Sequence, residues 1–379
     1  MTWKSIDQLQ KDLTKDVFQY AKDSKKAAGR ALGTIVEIIT YYILRDWGLN
    51  ESVSIERRIP EFGNPDIKHN VEFSLHPVLN SYSLELEYGD TSITSNRILK
   101  ALGNKIKSSD YRKTTNVLLT KDGVLRNGCI IASSERSYLV ASLTKVSRKK
   151  VLISVAEQTI KPYAIFECKR VGVEEGTRKG PQTIEKAKQG AYVARTVSSL
   201  QKVRLRDGSL YGILYTDDGV PYTKPYNELL SEIINSSDGS LLEYFVLTVG
   251  VVSNHGNWFT GDDHNKELKV LSQSYDWLIF LTDEGITQFV RELIIQPSDE
   301  YLPVKKAFLT SYSKNKLKNQ FTKVKMNLDA HIALTKYFSK NRNQIEKWFN
   351  VISPKEGTLV QLKQDIKTLQ SKNWGDFLE

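Results

Sequence analysis

The heptapeptide Tyr163-Ala164-Ile165-Phe166-Glu167-Cys168-Lys169 restricts what this chain can fold into more than any other stretch. Pro162 precedes it and a glycine- and charge-rich segment, Gly172 to Gly180, follows it. It therefore reads as a short, bounded, buried β-strand. Residues two apart on a strand share a face. Glu167 and Lys169 thus emerge side by side, while Phe166 and Cys168 face the core. Desolvating a carboxylate and an ammonium on an otherwise apolar strand costs several kcal/mol unless they pair or bind something.

A carboxylate lies upstream in Asn64-Pro65-Asp66. From Asp66 to Leu75, Ile67, His69, Val71 and Phe73 fall on one parity and Glu72 on the other, which predicts a strand. Pro-Asp is also ordinary turn chemistry, because proline fixes φ and aspartate accepts local hydrogen bonds. Val53 to Ile59 alternates in the same way. A helix is expected before these strands, from Ala27 to Trp47, with Glu37 at the edge of its apolar stripe and Gly48 at its C-terminal end.

Taken together, Glu167-Cys168-Lys169 and Asn64-Pro65-Asp66 resemble the two halves of the PD-(D/E)xK nuclease motif, and the chain resembles a type II restriction endonuclease of that superfamily. The resemblance covers roughly residues 27–295. It implies an α/β fold: a restriction-endonuclease-like mixed central sheet flanked by helices, with a β-rich insertion and a helical C-terminal region. It also implies an Mg2+-dependent, sequence-specific endonuclease acting on double-stranded DNA through a metal-activated water. Asp66, Glu167 and the main-chain carbonyl of Cys168 would hold the metal. Lys169 would stand beside the attacking water, and Glu37 would be an accessory acid. Cutting palindromic sites implies a homodimer. The interval between Asp66 and Glu167 is long for this superfamily. Glu157, at the end of the strand before Glu167, is the rival first carboxylate, and the sequence leaves the choice open.

The 379 residues carry a formal net charge of +10, which favours a polyanionic partner and is equally compatible with a solvated lysine-rich surface. Two cysteines, Cys129 and Cys168, cannot build a disulfide framework, so a reducing interior is expected. No run of about 18 apolar residues predicts a spanning helix, and the polar N-terminus does not read as a signal peptide. A cytoplasmic location, prokaryotic by the resemblance, and no membrane partner are the corresponding expectations.

The predicted organisation is an N-terminal helical segment (1–26), a nuclease core (27–296) with an insertion at about 85–158, and a basic, mainly helical region (297–379). The insertion should hold strands at Asn116–Thr120, Gly128–Ser133, Tyr138–Ser142 and Lys150–Ala156. After the key strand, Gly180-Pro181 should open a helix to about Leu200. Lys179, Lys186 and Gln189 there are candidates for holding a DNA phosphate, or simply a solvated basic face. Leu205–Asp218 and Ile234–Ser240 read as loops, Leu241–Val252 as a buried strand, and Trp277–Leu281 as a further strand. The loop Ser253–Asn265 is rich in Asn and His. Asn254, His255 and Asn257 are candidates for reading bases, since Asn pairs bidentately with adenine. His255 and His264 are too close together for an HNH nuclease, and no cysteine pair supports zinc. Lys314, Lys316, Lys318, Lys323 and Lys325 form a dense cluster suited to a phosphate backbone. Leu328–Trp348 and Leu359–Leu369 read as helices. A structure-selective repair nuclease and a non-catalytic DNA-binding protein on a nuclease-like fold are the alternative functions.

Overall fold

Two patterns in the sequence, alternation with period two and apolar stripes at helical spacing, build a mixed α/β molecule. The computed structural model describes residues 5–147, 149–172, 181–215, 219–254, 266–312 and 319–376. The backbone gathers into two units, each made of three chain segments. One takes Met1–Ile55, His76–Ile160 and Glu284–Ile345; the other takes Glu56–Leu75, Lys161–Asp283 and Glu346–Glu379.

The first unit is organised by an antiparallel sheet. Its strand order is Val78–Glu87, Lys150–Thr159, Ser137–Val146, Cys129–Ser133 and Arg112–Lys113. Ile131, Leu139, Ile153 and Val155 form its apolar face and pack with Ile98, Leu99 and Leu102 of the helix Ser95–Leu102. The helix Ser24–Asp46 is long and apolar enough, by length and composition, to cross a bilayer, which corrects the expectation that no such stretch exists. Its apolarity has another use here: 67% of that window is buried inside the protein, as in a core helix. Tyr42 on it packs against Phe338 of the helix Leu328–Lys340, with the rings tilted and their centroids 5.5 Å apart.

The second unit is organised by a mixed sheet flanked by helices. The elements that place the site are, in chain order, β1 (Arg58–Glu61), β2 (Asn64–Asn70), β3 (Phe73–Leu75), β4 (Ala164–Val171), α1 (Pro181–Thr196), β5 (Leu247–Asn254), α2 (Lys266–Ser274), β6 (Trp277–Leu281), β7 (Phe349–Ser353) and α3 (Leu359–Gln370). Within this unit the central sheet runs β3-β4-β5-β6-β7. The pairs β4–β5 and β5–β6 are parallel, whereas β3–β4 and β6–β7 are antiparallel. β5 and β6 are buried along their whole length, as strands covered on both faces must be. The parallel step from β4 to β5 needs a long crossover, which contains α1. β1 and β2 form a separate antiparallel ribbon.

Several elements differ from the sequence-based expectation. The alternating run Asp66–Leu75 is two strands, because the chain bends at Val71-Glu72: β2 stays in the ribbon and β3 enters the central sheet. Val53–Ile59 is likewise divided, with Glu56 at φ +52°, a left-handed backbone that a strand cannot contain. The expected loop Leu205–Asp218 holds the strand Leu210–Tyr215, paired with Gln201–Arg204 and Pro221–Pro225. The buried strand begins at Leu247, after a helical turn at Gly239–Leu242. The helix expected to run from Leu328 to Trp348 stops at Lys340 and is followed by the separate short helix Arg342–Glu346.

Candidate active site

β4 is the middle of the site because it is paired on both edges. Its odd-numbered residues line one face. At one end Ile165 packs with Ile59, Val71, Val197 and Val246. At the other end Val171 packs with Ala194, Leu271, Tyr275 and Leu278. Glu167 and Lys169 lie between these two apolar clusters. Glu167 is only 8% exposed and Lys169 is half-buried.

The antiparallel ladder sets Phe73 opposite Phe166 and Ser74 opposite Ile165. One step further in that register, Glu72 stands across from Glu167. The backbone N–H of Glu72 donates to Glu167 Oε1 at 3.2 Å. A hydrogen bond from a backbone N–H to a buried carboxylate favours its charged form. Two carboxylate-bearing residues thus sit side by side, Glu167 on β4 and Glu72 in the bend just before β3, with an ammonium two residues along β4. Neighbouring carboxylates repel unless a proton or a cation lies between them.

Two glycines provide the room. A Cβ on Gly190, in α1, would stand 2.9 Å from Lys169 Cε, 3.1 Å from its Nζ and 3.1 Å from the Tyr275 hydroxyl. Gly250 is the parallel-ladder partner of Glu167. A Cβ there would lie 2.8 Å from Cδ2 of the Tyr275 ring. Lys169 and Tyr275 therefore converge on a space that exists because both positions lack side chains. The Tyr275 phenol is buried and has no hydrogen-bond partner among the described residues. Burial pushes its pKa well above the usual value, and the charges at Glu167 and Cys168 push it the same way, so the phenol stays neutral.

The segment bearing Tyr275 is pinned from below. Lys202 Nζ donates to the carbonyls of Ser272 (3.1 Å) and Tyr275 (2.7 Å), at the C-terminal end of α2, where a cation suits the helix dipole. The adjacent Asp276 carboxylate accepts from the Thr248 backbone N–H at 2.7 Å, from the Thr248 hydroxyl at 2.8 Å and from the Tyr226 hydroxyl. This is the kind of saturated buried network that fixes a geometry.

The sequence-predicted residues are only partly gathered. Glu167 and Lys169 share a face as expected, and Cys168 is half-buried on the opposite face. Asp66 is exposed on β2. Five residues separate it from Glu72, and a strand rises roughly 3.3 Å per residue, so the ribbon carries it away from the position opposite Glu167. Glu157 belongs to the other unit, where it accepts from Tyr111 (2.6 Å), Ser137 (2.8 Å) and Asn80 (2.8 Å). Burial pushes its carboxyl up, but the three hydrogen bonds together outweigh this and leave it below the usual range. Glu37 is also in the other unit and is paired with the buried Lys323 at 3.4 Å. Lys323 is therefore a core ion-pair partner and not part of a phosphate-binding surface.

Gln189 is exposed on α1. Asn254 closes β5 in a buried position, its amide 3.4 Å from an Asp283 oxygen. This orients it toward the protein's own carboxylate. Lys179, His255 and Asn257, and likewise Lys314, Lys316 and Lys318, lie outside the described residues, as does the side chain of Lys186. Among the described residues no group of three or more His, Cys, Asp or Glu side chains is arranged to hold a metal ion. Sequence reasoning missed Glu72, Tyr275, Gly190 and Gly250. Only Glu72 left a trace, as an acid of opposite parity just before Phe73. Neither the models of known protein families, nor curated proteins, nor solved structures match this chain.

Proposed function

We propose that the chain is an Mg2+-dependent endonuclease of the restriction type acting on double-stranded DNA, with Glu72 and Glu167 as its carboxylate pair and Lys169 as its cation. The observation that carries this reading is the ladder placing Glu72 across from Glu167, with Lys169 two residues on, in a half-buried strand feeding a parallel crossover. That arrangement follows the resemblance of Glu167-Cys168-Lys169 while replacing Asp66. A restriction-endonuclease-like fold and a two-fold dimer on palindromic sites belong to the same proposal.

The donor chemistry suits the metal. Mg2+ takes hard oxygens, commonly one or two carboxylates with waters and phosphate oxygens filling the other positions. Glu72, Glu167 and the carbonyl of Cys168 would supply them. When bound, the ion would lower the pKa of a coordinated water and neutralise phosphate charge. Lys169 would hold its ammonium against the phosphate oxygen on which charge builds during attack, a role that a preorganised cation fills without reorganisation. Tyr275 is a positioning residue: its neutral phenol flanks Lys169 over Gly190 and keeps water out from behind the pair. Water attacks phosphorus, one P–O bond breaks, and the departing oxygen takes up a proton.

Incubation of the protein with unmethylated phage DNA, with Mg2+ and with excess EDTA, tests this. Discrete fragments with Mg2+ only, and none from Glu167→Ala or Lys169→Ala, are expected. A smear independent of sequence would instead indicate a structure-selective nuclease. A non-catalytic DNA-binding protein is the second reading, favoured by the small number of acidic residues gathered around β4 among the described residues. It predicts no cutting of any DNA, with duplex affinity unchanged in Glu167→Ala.

A further inference from the structure

The first unit contains a cleft of ≈ 520 Å3 whose lining includes Arg45, Lys145, Lys336 and Lys340 and no carboxylate. Its volume falls within the roughly 300–1,000 Å3 of small-molecule sites. Arg45 is held in place from two sides. One terminal nitrogen donates to the Tyr41 hydroxyl and the other to the Leu143 carbonyl, both at 3.3 Å. Its Nε is buried and has no hydrogen-bond partner among the described residues.

His331 forms part of the floor, and its ring nitrogen lies 2.8 Å from the Tyr42 hydroxyl. Burial and then the charge of Arg45 hold this imidazole well below its ordinary pKa, so it is neutral. The cations come from different elements: Arg45 from the helix Ser24–Asp46, Lys145 from the strand Ser137–Val146, and the other two from the last turns of the helix Leu328–Lys340. Lys336 also pairs with Glu300, which does not line the cleft. The carbonyl end of the last helix contributes roughly half a negative charge, too little to offset the remaining cations. Val146 and the exposed Ile332 give the cleft an apolar side.

We propose that this cleft binds a phosphomonoester, with the phosphoryl group on Arg45, Lys145 and Lys340 and the organic part on the apolar side. Arginine and lysine donors converging from separate elements recognise a phosphate's several oxygens better than a single salt bridge does. The source is either a free nucleotide or the 5′-phosphate of a nucleic-acid strand. The site is independent of the β4 chemistry.

Calorimetric titration of the full chain with inorganic phosphate, adenosine monophosphate, and one oligonucleotide in 5′-phosphorylated and 5′-hydroxyl forms tests this. Saturable binding of at least one phosphomonoester is expected, weakened tenfold or more in the double variant Lys145→Gln/Lys340→Gln. Both residues are exposed, so the fold should tolerate the changes. Preference for the 5′-phosphorylated over the 5′-hydroxyl strand would assign the site to strand ends, and binding of the mononucleotide alone would assign it to free nucleotides. A histidine NMR signal assigned to His331 should shift on addition of the bound form. Absence of saturable binding by any phosphorylated probe, or an unchanged affinity in the double variant, would overturn the proposal.

Discussion

Gly190 and Gly250 shape the site by what they lack, and substitutions there separate function from folding. Alanine at Gly190 would collide with the far end of Lys169, a flexible side chain that can move aside, and would stand 3.1 Å from the Tyr275 hydroxyl, a tight contact that a small shift of the alanine-bearing helix relieves. Helix interiors favour alanine over glycine by about 1 kcal/mol. Gly190→Ala should therefore leave the melting temperature unchanged or slightly raised while cleavage falls tenfold or more. A drop in both together would mean that the lysine is not the group displaced. Gly250→Ala meets the packed Tyr275 ring, which cannot rotate away. It should cost about 1–3 kcal/mol, as overpacking does, readable in a denaturant titration. These roles were not legible in the sequence, because a glycine in a helix or strand does not announce which side chain passes over it. Glu167 and Lys169 were legible, because two charges at period two in an apolar strand demand a reason. Glu72, the first carboxylate of the proposal, did not stand out in the sequence because Pro65-Asp66 and Glu72 lie in one continuous alternation. Only the bend at Val71-Glu72, set by pairing with a strand some ninety residues later, separates them.

At the scale of elements, the end of α2 is a junction that aims Tyr275, and Lys202 is its fastener. Burial lowers the Lys202 pKa from 10.5 to about 8, with the Asp276 charge opposing that shift and Arg204 adding to it. Between about pH 8 and 10.5 the unfolded chain still binds this proton and the folded chain does not. The contribution of this group to stability therefore rises with pH across that window, by at most roughly 3 kcal/mol. The stability difference between wild type and Lys202→Met should move in favour of wild type from pH 7.5 to pH 10 in parallel urea titrations. A difference that stays flat would show that the amine titrates normally. The short sheet beside this junction, with its strand Leu210–Tyr215, was hidden by the turn residues around it, Asp207-Gly208 before and Asp217-Asp218-Gly219 after. By contrast Trp277–Leu281 was read correctly to the residue, since a fully buried strand is an uninterrupted apolar run.

At the scale of the whole molecule, the charge of +10 bears on affinity and not on chemistry. Duplex binding should weaken linearly in a plot of log affinity against log salt, with a slope of roughly −0.9 per phosphate neutralised. Glu167→Ala should keep both affinity and slope in the absence of metal, measured by fluorescence anisotropy; a collapse of affinity would mean that the acid supports the fold. The mixed α/β class was evident from alternating strands and helices, but the interleaving of three chain segments in each unit was not. Long-range pairing is set by which faces meet, which local patterns leave undetermined.

The measurement that bears most directly on the carboxylate pair is single-turnover cleavage of a DNA fragment in Mg2+ by Glu72→Gln and Asp66→Asn side by side. Outer-shell partners of a metal site already cost roughly 10–100-fold when mutated. Glu72→Gln should lose at least that much, with Asp66→Asn within a few-fold of wild type. Full activity in Glu72→Gln with loss in Asp66→Asn would contradict the assignment and return the first carboxylate to the ribbon.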